Sequence, residues 1–168
     1  AAWCISSFGP FHILDAGAYV GDNVLPWAKH FQESFVYAID PCPENCAFIE
    51  QMSSLNGIKN VKVISMALSE KSTKLHYNGS LNHCRFDRKG RKELSSTSLD
   101  HLWKSGEISE IGFIHLDVEG MELSVIKGAK ELIDQFLPLI IFESHINQDK
   151  FLGELYQTLK EKKYTTFM

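Results

Sequence analysis

The sequence is short of several features that would assign it to a class at once. It has no apolar run long enough to cross a membrane and no secretory signal pattern. Its four cysteines form no C-x-x-C pair, which disfavours a thiolate metal site and leaves reduced thiols as the expectation. Basic residues do not prevail, since 17 Lys and Arg face 21 Asp and Glu. The net charge of −4 argues against a general nucleic-acid or anionic-membrane surface.

What is present fits one domain. A chain of 168 residues with 44% hydrophobic residues supplies one core. We expect a single domain over residues 1–168, in the cytoplasm because of its cysteine usage. The chain begins at Ala1 without a methionine, so we expect its native N-terminus to be missing.

The hydrophobic pattern alternates between short apolar runs and helical stretches, which predicts a parallel sheet with crossover helices. The predicted strands are 11–14, 35–39, 61–65, 112–116, 139–142 and, at the end, 164–168. The predicted helices are 22–31, 43–55, 123–136 and 151–162. In the second helix, Phe48, Met52 and Leu55 share a face and are expected to be core.

The first strand runs into a glycine turn with the sequence FHILDAGAYVGDN over residues 11–23. Asp15 ends the strand, at the edge where open α/β sheets bind ligands. Gly17 and Gly21 lack the third glycine of a dinucleotide site, and Asp15 and Asp22 would repel a pyrophosphate. The turn therefore favours S-adenosylmethionine, with an acid for its ammonium group and free backbone amides for its carboxylate.

A second acid, Asp40, follows the second predicted strand at the separation expected for a ribose-binding residue. We expect it to accept hydrogen bonds from ribose hydroxyls. The alternative is a charge that stabilises a helix N-terminus before Pro41 and Pro43.

A third set of acids follows the strand at 112–116 in the sequence IHLDVEGME. On an extended backbone Asp117 and Glu119 share a face, across the crevice from the first turn if the two strands are neighbours. Glu122 would lie in the first turn of the next helix. The strand at 139–142 ends similarly, near Glu143 and His145.

Methyl transfer requires alignment of donor and acceptor and removal of the acceptor's proton. Asp117, Glu119 or His145 could be the catalytic base. The same carboxylates with His145 could instead hold a divalent cation, although their spacing fits no metal motif and we predict no metal. The polar segment 78–98 reads as a loop or hairpin, either a solvated basic surface or a lid for an anionic or sugar substrate.

Five blocks in order resemble the FkbM-type methyltransferases. They are LDAGAYVGDN at 14–23, AIDPCPEN at 38–45, ALSE at 67–70, SLDHL at 98–102, and LDVEGME at 116–122 followed by KGA at 127–129. The resemblance implies a three-layer, Rossmann-like class I fold, with a mostly parallel twisted sheet and helices on both faces. It also implies O-methylation of a hydroxyl on a sugar, glycolipid or polyketide-like acceptor, with S-adenosyl-L-methionine as cofactor.

The same resemblance implies where the cofactor is held. The positions are Asp15, Gly17, Ala18, Tyr19, Gly21, Asn23, Asp40, Pro41, Met66, Ala67 and Asp117. The chain departs from the family at Asp40, commonly Glu, and at Tyr19, where a smaller residue, often Asn, is usual. The implied fold ends in two strands, of which only 164–168 is present, so we expect a chain truncated at its C-terminal strands. The rival functions are a non-catalytic module that binds S-adenosylmethionine and, less well supported, an NAD-linked oxidoreductase.

Overall fold

The fold is built on one parallel sheet, described here from a computed structural model that covers residues 11–78, 85–86, 89–143 and 149–165. The strands in this part of the chain are β1 (His12–Ala16), β2 (Val36–Asp40), β3 (Val61–Ser65), β4 (Ala67–Leu68), β5 (Thr73–Asn78), β6 (Arg85–Phe86), β7 (Lys92–Thr97), β8 (Ile111–Leu116) and β9 (Leu139–Phe142). The helices are α1 (Val24–His30), α2 (Pro43–Leu55), α3 (Leu99–Lys104), α4 (Glu122–Lys127), α5 (Lys130–Phe136) and α6 (Asp149–Glu161).

The main sheet has the order β3-β2-β1-β8-β9, and each of its four strand pairs is parallel. The first five predicted strands are confirmed, with ends within two residues of the prediction. Strands β1 and β8 are neighbours, with Asp15 opposite His115, so the condition for Asp117 to lie across from the first turn is met. The carboxyl ends of all five strands therefore meet at one edge, where such sheets bind ligands.

Helices cover both faces of this sheet, and each face has its own apolar core. Alternate residues of a strand point to opposite faces, so Ile13 packs with α1 and α2 while Leu14 packs with α3, α4, α5 and α6. Asp15 belongs to the same face as Ile13. The three-layer α/β arrangement expected from the family resemblance is confirmed.

A smaller sheet, with the order β4-β7-β5-β6, grows out of the end of β3. Strands β5 and β7 form an antiparallel hairpin, as one of the two alternatives for segment 78–98 predicted. The hairpin begins earlier than predicted, at Thr73, where Leu75 and Tyr77 alternate with polar residues in a strand that the prediction did not include. Its base is joined to the main fold through β4, which pairs with Ser96 and Thr97.

The predicted helix at 123–136 is wrong in one respect, since it is two helices that meet at Gly128. A Cβ on Gly128 would lie 2.3 Å from the carbonyl oxygen of Ser69, so the chain passes too closely there for any other residue. The Gly128 carbonyl accepts the amide of Asp100, and the Asp100 carboxylate accepts the amides of Glu131 (3.1 Å) and Leu132 (2.8 Å). Asp100 thus caps α5 from outside it.

The predicted core face of α2 is also wrong. Phe48 is 43% exposed and Leu55 is 72% exposed, whereas Ile49 is fully buried. The buried face carries small and polar residues, among them Asn45 and Cys46. A search for an apolar stripe in the sequence does not recognise such a face as buried. Both described cysteines, Cys42 and Cys46, are buried and free.

At the C-terminal end, Tyr164 and Thr165 have no regular structure, and the rest of the predicted strand 164–168 lies outside the described residues. In the part of the chain that the structure covers, no helix is both long and apolar enough to cross a membrane.

Candidate active site

The glycine turn after β1 is fixed by hydrogen bonds to the neighbouring strand. The amides of Gly17 and Ala18 both donate to the Ile39 carbonyl, at 2.9 and 3.2 Å, and the amide of Gly21 donates to the Ala18 carbonyl at 2.8 Å. Positive φ angles of +82° at Gly17 and +79° at Gly21 allow the chain to make this turn. These three amides are therefore used within the protein, and the expectation of free amides for a ligand's carboxylate stays a prediction for the rest of the turn.

Gly17 also touches the turn after β8. A Cβ on Gly17 would lie 1.8 Å from the Asp117 carbonyl oxygen, well inside van der Waals contact. On the same side the Asp117 amide donates to the Ala16 carbonyl at 2.9 Å. Asp117 thus lies directly across from the glycine turn, as the sequence predicted for adjacent strands. The missing side chain of Gly17 is what permits this approach.

Asp40 ends β2 and fastens the chain on both sides of it. Its Oδ2 accepts the amide of Tyr19 at 2.9 Å, and its Oδ1 accepts the amide of Cys42 at 2.8 Å and the side-chain amide of Asn45 at 3.2 Å. Burial raises the pKa of Asp40, and the two backbone hydrogen bonds oppose that rise. A carboxylate offers about four acceptor positions, so one stays free on Oδ2.

Tyr19 has a φ of +44°, in the left-handed region that favours Gly and Asn. Its ring is 46% exposed, so packing does not force this conformation. The hydrogen bond from its amide to Asp40 holds the backbone there instead. The backbone here therefore suits Asn or Gly better than Tyr.

Asp15 is buried, with only 1% of its surface exposed, and it bonds to a residue that sequence reasoning missed. Its Oδ1 lies 2.7 Å from Nδ1 of His115, its neighbour on β8. Its Oδ2 has no hydrogen-bond partner among the described residues. What identifies His115 is its register opposite Asp15. That register is visible only once the two strands are paired in the sheet.

The charges of this cluster act on one another. Burial raises the pKa of Asp15, and the hydrogen bond to His115 works against that rise. The pKa of His115 is raised, chiefly by its hydrogen bond to Asp15, while the charges of Asp117 and Asp22 add to the effect. The imidazole is therefore held towards its protonated form beside a carboxylate.

The remaining predicted cofactor positions surround this edge of the sheet. Asn23 precedes α1, where its side chain makes no capping hydrogen bond, and Pro41 is half-buried directly after Asp40. The Met66 amide donates to the Asp40 carbonyl at 3.1 Å, which fixes Met66 beside β2. Ala67 is buried at the start of β4.

The predicted pairing of Asp117 and Glu119 on an extended backbone is wrong. The chain turns at Glu119, which has a φ of +53° and an exposed side chain. Gly120 follows with a φ of +90° and donates its amide to the Glu122 carboxylate at 3.1 Å. Glu122 begins α4 as predicted and is 4% exposed. His145 lies outside the described residues, and within those residues no group of three or more acids, histidines or cysteines is arranged to hold a metal.

Comparison with known proteins identifies the family. A model of the methyltransferase FkbM domain matches residues 15–166. The chain belongs to the FkbM methyltransferase family. The match covers both turns of the site, from Asp15 to the region beyond Asp117, so the expected family is confirmed. This supports S-adenosylmethionine as the cofactor.

Solved structures agree with this assignment at the level of the fold. The FkbM methyltransferase of Methylobacillus flagellatus KT is similar with a TM-score of 0.66 and 18% identity, over 90% of this chain and 37% of that one. This FkbM domain therefore spans little more than a third of that relative. The precorrin-6y C5,15-methyltransferase of Geobacter metallireducens GS-15 has a TM-score of 0.56 and 13% identity, over 98% and 70% of the two chains.

A SAM-dependent methyltransferase from Aquifex aeolicus is similar with a TM-score of 0.53 and 16% identity, over 99% of this chain and 80% of that one. Among curated proteins, no sequence matches the chain.

Proposed function

We propose that this domain binds S-adenosylmethionine and transfers its methyl group to a hydroxyl of a sugar, glycolipid or polyketide-like small molecule. The observation that carries the proposal is the free Oδ2 of Asp15, a buried acceptor with no donor among the described residues. An unmet buried acceptor is costly, so its presence at a ligand-binding edge favours a ligand that brings a donor. The ammonium group of S-adenosylmethionine is such a donor.

Other residues of the edge fit the rest of the cofactor. The open acceptor position on Asp40 suits a ribose hydroxyl, since within the described residues Oδ2 accepts only the Tyr19 amide. Ala18, Gly21, Asn23, Pro41, Met66 and Ala67 are proposed to line the pocket. A dinucleotide suits the site less well, because three of the amides that would hold a pyrophosphate donate within the protein.

Bound S-adenosylmethionine supplies a methyl group on a positively charged sulfur, which an acceptor oxygen takes by in-line displacement. The task of the chain is then to align the acceptor and remove its proton. Among the described residues, we propose Asp117 as the first candidate for this base, because its turn contacts the glycine turn. Glu119 and His145 are the other proposed bases. The acids at this edge disfavour an anionic acceptor.

The test of cofactor binding is calorimetric titration of the 168-residue chain with S-adenosylhomocysteine. Asp15→Asn removes the charge but keeps the shape, and we expect it to weaken binding about 10- to 100-fold. Glu33→Gln is the matched control, since Glu33 is exposed and lies before β2, at the opposite end of the strands. Absence of binding by the unaltered chain, or no effect of Asp15→Asn, would reject the cofactor assignment.

The test of catalysis is transfer of labelled methyl to a panel of sugars, glycolipids and polyketides. Loss of a general base lowers kcat by about 10²- to 10⁴-fold, so Asp117→Asn and Glu119→Gln separate two of the bases. The FkbM relative is much longer than this chain, and the second candidate is therefore a module that binds the cofactor without catalysis. Binding without transfer to any member of the panel favours that candidate. A single domain in the cytoplasm stays part of the proposal, in keeping with free buried cysteines.

A further inference from the structure

We infer that His115 is a positioning residue, which holds Asp15 in the orientation that presents its free oxygen to the ammonium group of the cofactor. The inference rests on the proposed function and deepens it, because it assigns a role to the penultimate residue of β8, opposite Asp15. His115 is not a catalytic residue in this account. It acts on the cofactor only through Asp15.

The geometry fixes the imidazole from two directions. On one side Nδ1 of His115 lies 2.7 Å from Oδ1 of Asp15, across a parallel strand pair in which the two residues are directly opposed. On the other side the ring of Trp27 meets the imidazole edge to face, with 5.8 Å between centroids. Trp27 is itself packed against Phe113 at 5.4 Å. The His115 ring is therefore held in place by contacts that do not involve a ligand.

The two oxygens of Asp15 consequently differ. Oδ1 has a strong partner, and Oδ2 has none among the described residues although both are buried. A carboxylate with one oxygen held cannot rotate freely about its χ2 angle, so the direction of Oδ2 is set by His115. Preorganised acceptors bind a ligand more tightly because less freedom is lost on binding.

Charge gives His115 a second effect on the same group. A carboxylate as buried as Asp15 tends to take up a proton, and a neutral acid attracts an ammonium group poorly. The charged groups that face His115 are Asp15, Asp22 and Asp117, and all three favour the imidazolium form. An imidazolium beside Asp15 keeps the carboxylate ionised. His115 thus keeps Asp15 both oriented and charged.

Two ligands separate this role from a purely structural one. S-adenosylhomocysteine carries the ammonium group, whereas 5′-methylthioadenosine has the same nucleoside and thioether without the amino-acid part. His115→Leu removes the hydrogen bond, and we expect it to weaken binding of S-adenosylhomocysteine about 10- to 100-fold. Its affinity for 5′-methylthioadenosine should stay within about twofold. A structural defect would weaken both ligands alike.

Two further variants identify the atom responsible. In His115→Asn the side-chain amide nitrogen falls near the place of Nδ1, so this variant should recover the part of the affinity for S-adenosylhomocysteine that comes from orientation, and not the part that comes from the imidazolium charge. In His115→Gln the nitrogen falls nearer the place of Nε2, and the affinity should stay low. His101→Leu, on the exposed side of α3, is the surface control and should change neither affinity.

The outcomes are distinct. Equal loss of both ligands in His115→Leu, or no loss of either, would overturn the positioning role while leaving the proposed function standing. Failure of the unaltered chain to bind either ligand would overturn the proposed function and this inference with it. Thermal unfolding of each variant shows whether a loss reflects unfolding; if His115→Leu is unfolded, the contrast between Asn and Gln decides.

Discussion

Among single residues, Gly17 and Gly57 share a positive φ angle but differ in their surroundings. A Cβ on Gly17 would overlap the Asp117 carbonyl oxygen, whereas a Cβ on Gly57 would meet nothing within 4 Å. Gly57→Ala should therefore cost only the backbone strain of about 1–2 kcal/mol in the free energy of unfolding. Gly17→Ala adds an overlap with backbone and should cost at least about 1–3 kcal/mol more.

Urea unfolding of both variants measures this difference. Equal losses of stability would show that the glycine turn does not touch the turn after β8 at Asp117. Cofactor binding provides a second reading. Gly57→Ala should bind S-adenosylhomocysteine like the unaltered chain, because Gly57 follows α2 at the opposite end of the sheet from the site. Gly17→Ala should not bind it.

The pair of Asp15 and His115 predicts a dependence of stability on pH. The pKa of His115 is raised in the fold above its ordinary value of 6.5, mainly by Asp15. A raised pKa means that the folded chain holds the proton more tightly, so the stabilisation is complete below about pH 6.5 and is lost as the pH rises through the folded-state pKa. The free energy of unfolding should consequently fall as the pH rises above about 6.5.

Asp15→Asn removes the cause of that shift and leaves burial, which lowers the pKa of a histidine. The fall in stability should then shrink or reverse. His12, whose pKa is lowered by burial, is present in both proteins and cancels in the comparison. A fall of the same size in both proteins would contradict the assignment to this pair.

The residues found by sequence reasoning are those whose position carries the signal. Asp15 and Asp40 each follow an apolar run in the sequence, so an extended pattern followed by an acid was enough to predict that they lie at the binding edge. His115 has the equivalent position in β8, but a histidine between Ile114 and Leu116 does not mark the end of an apolar run. Its role depends on the register between two strands that are 100 residues apart in sequence. Register of that kind follows from the assembled sheet.

Among the elements, α2 shows how an apolar stripe can mislead. Ile49→Ala should cost about 2–5 kcal/mol in the free energy of unfolding, because Ile49 is fully buried between α2 and the sheet. Leu55→Ala on the exposed stripe should change it by no more than about 0.5 kcal/mol. Urea unfolding of the two variants is the measurement. A large loss for Leu55→Ala would mean that this side of the helix is covered in solution.

The cap on α5 gives a further prediction. Asp100→Ala removes the acceptor for two amides at the start of the helix and should lower the free energy of unfolding by about 0.5–2 kcal/mol. Asp134→Ala is the matched control, since that exposed residue of α5 forms an ion pair with Lys162 and caps no helix in the described part of the chain. Such surface pairs contribute at most about 1 kcal/mol. Equal effects of the two variants would argue against a cap at Asp100.

Elements of the main sheet could be predicted because local apolar runs decide them. The division between α4 and α5 could not, because it depends on Ser69 and Asp100, which approach Gly128 only in the folded chain. Of the small sheet, the sequence predicted the hairpin within 78–98 but not strand β5 at Thr73–Asn78, because pairing between distant residues decides this sheet too. Its two longer strands, β5 and β7, are largely polar, and they are defined by pairing with each other more than by burial.

At the scale of the whole molecule, the family and the layer arrangement were predictable because five sequence blocks occur in the right order. The exposed position of Glu119 was not, since a turn replaces the extended backbone on which its prediction depended. Carboxylates at strand ends therefore mark the binding edge of the sheet, whereas the conformation of a turn such as that at Glu119 follows from the assembled fold.

The bonds that tie the first glycine turn to Ile39, and its contact with Asp117, have a kinetic consequence. A glycine turn that is already held in place needs no rearrangement of its own before a ligand binds. Association in a stopped-flow instrument should therefore follow a single exponential. Its observed rate should grow in proportion to the concentration of S-adenosylhomocysteine, without reaching a plateau. The fluorescence of Trp27, packed against His115, offers a natural reporter. A plateau in the observed rate would reveal a slow conformational step before binding. The protein without ligand would then be mostly in a conformation that does not bind it.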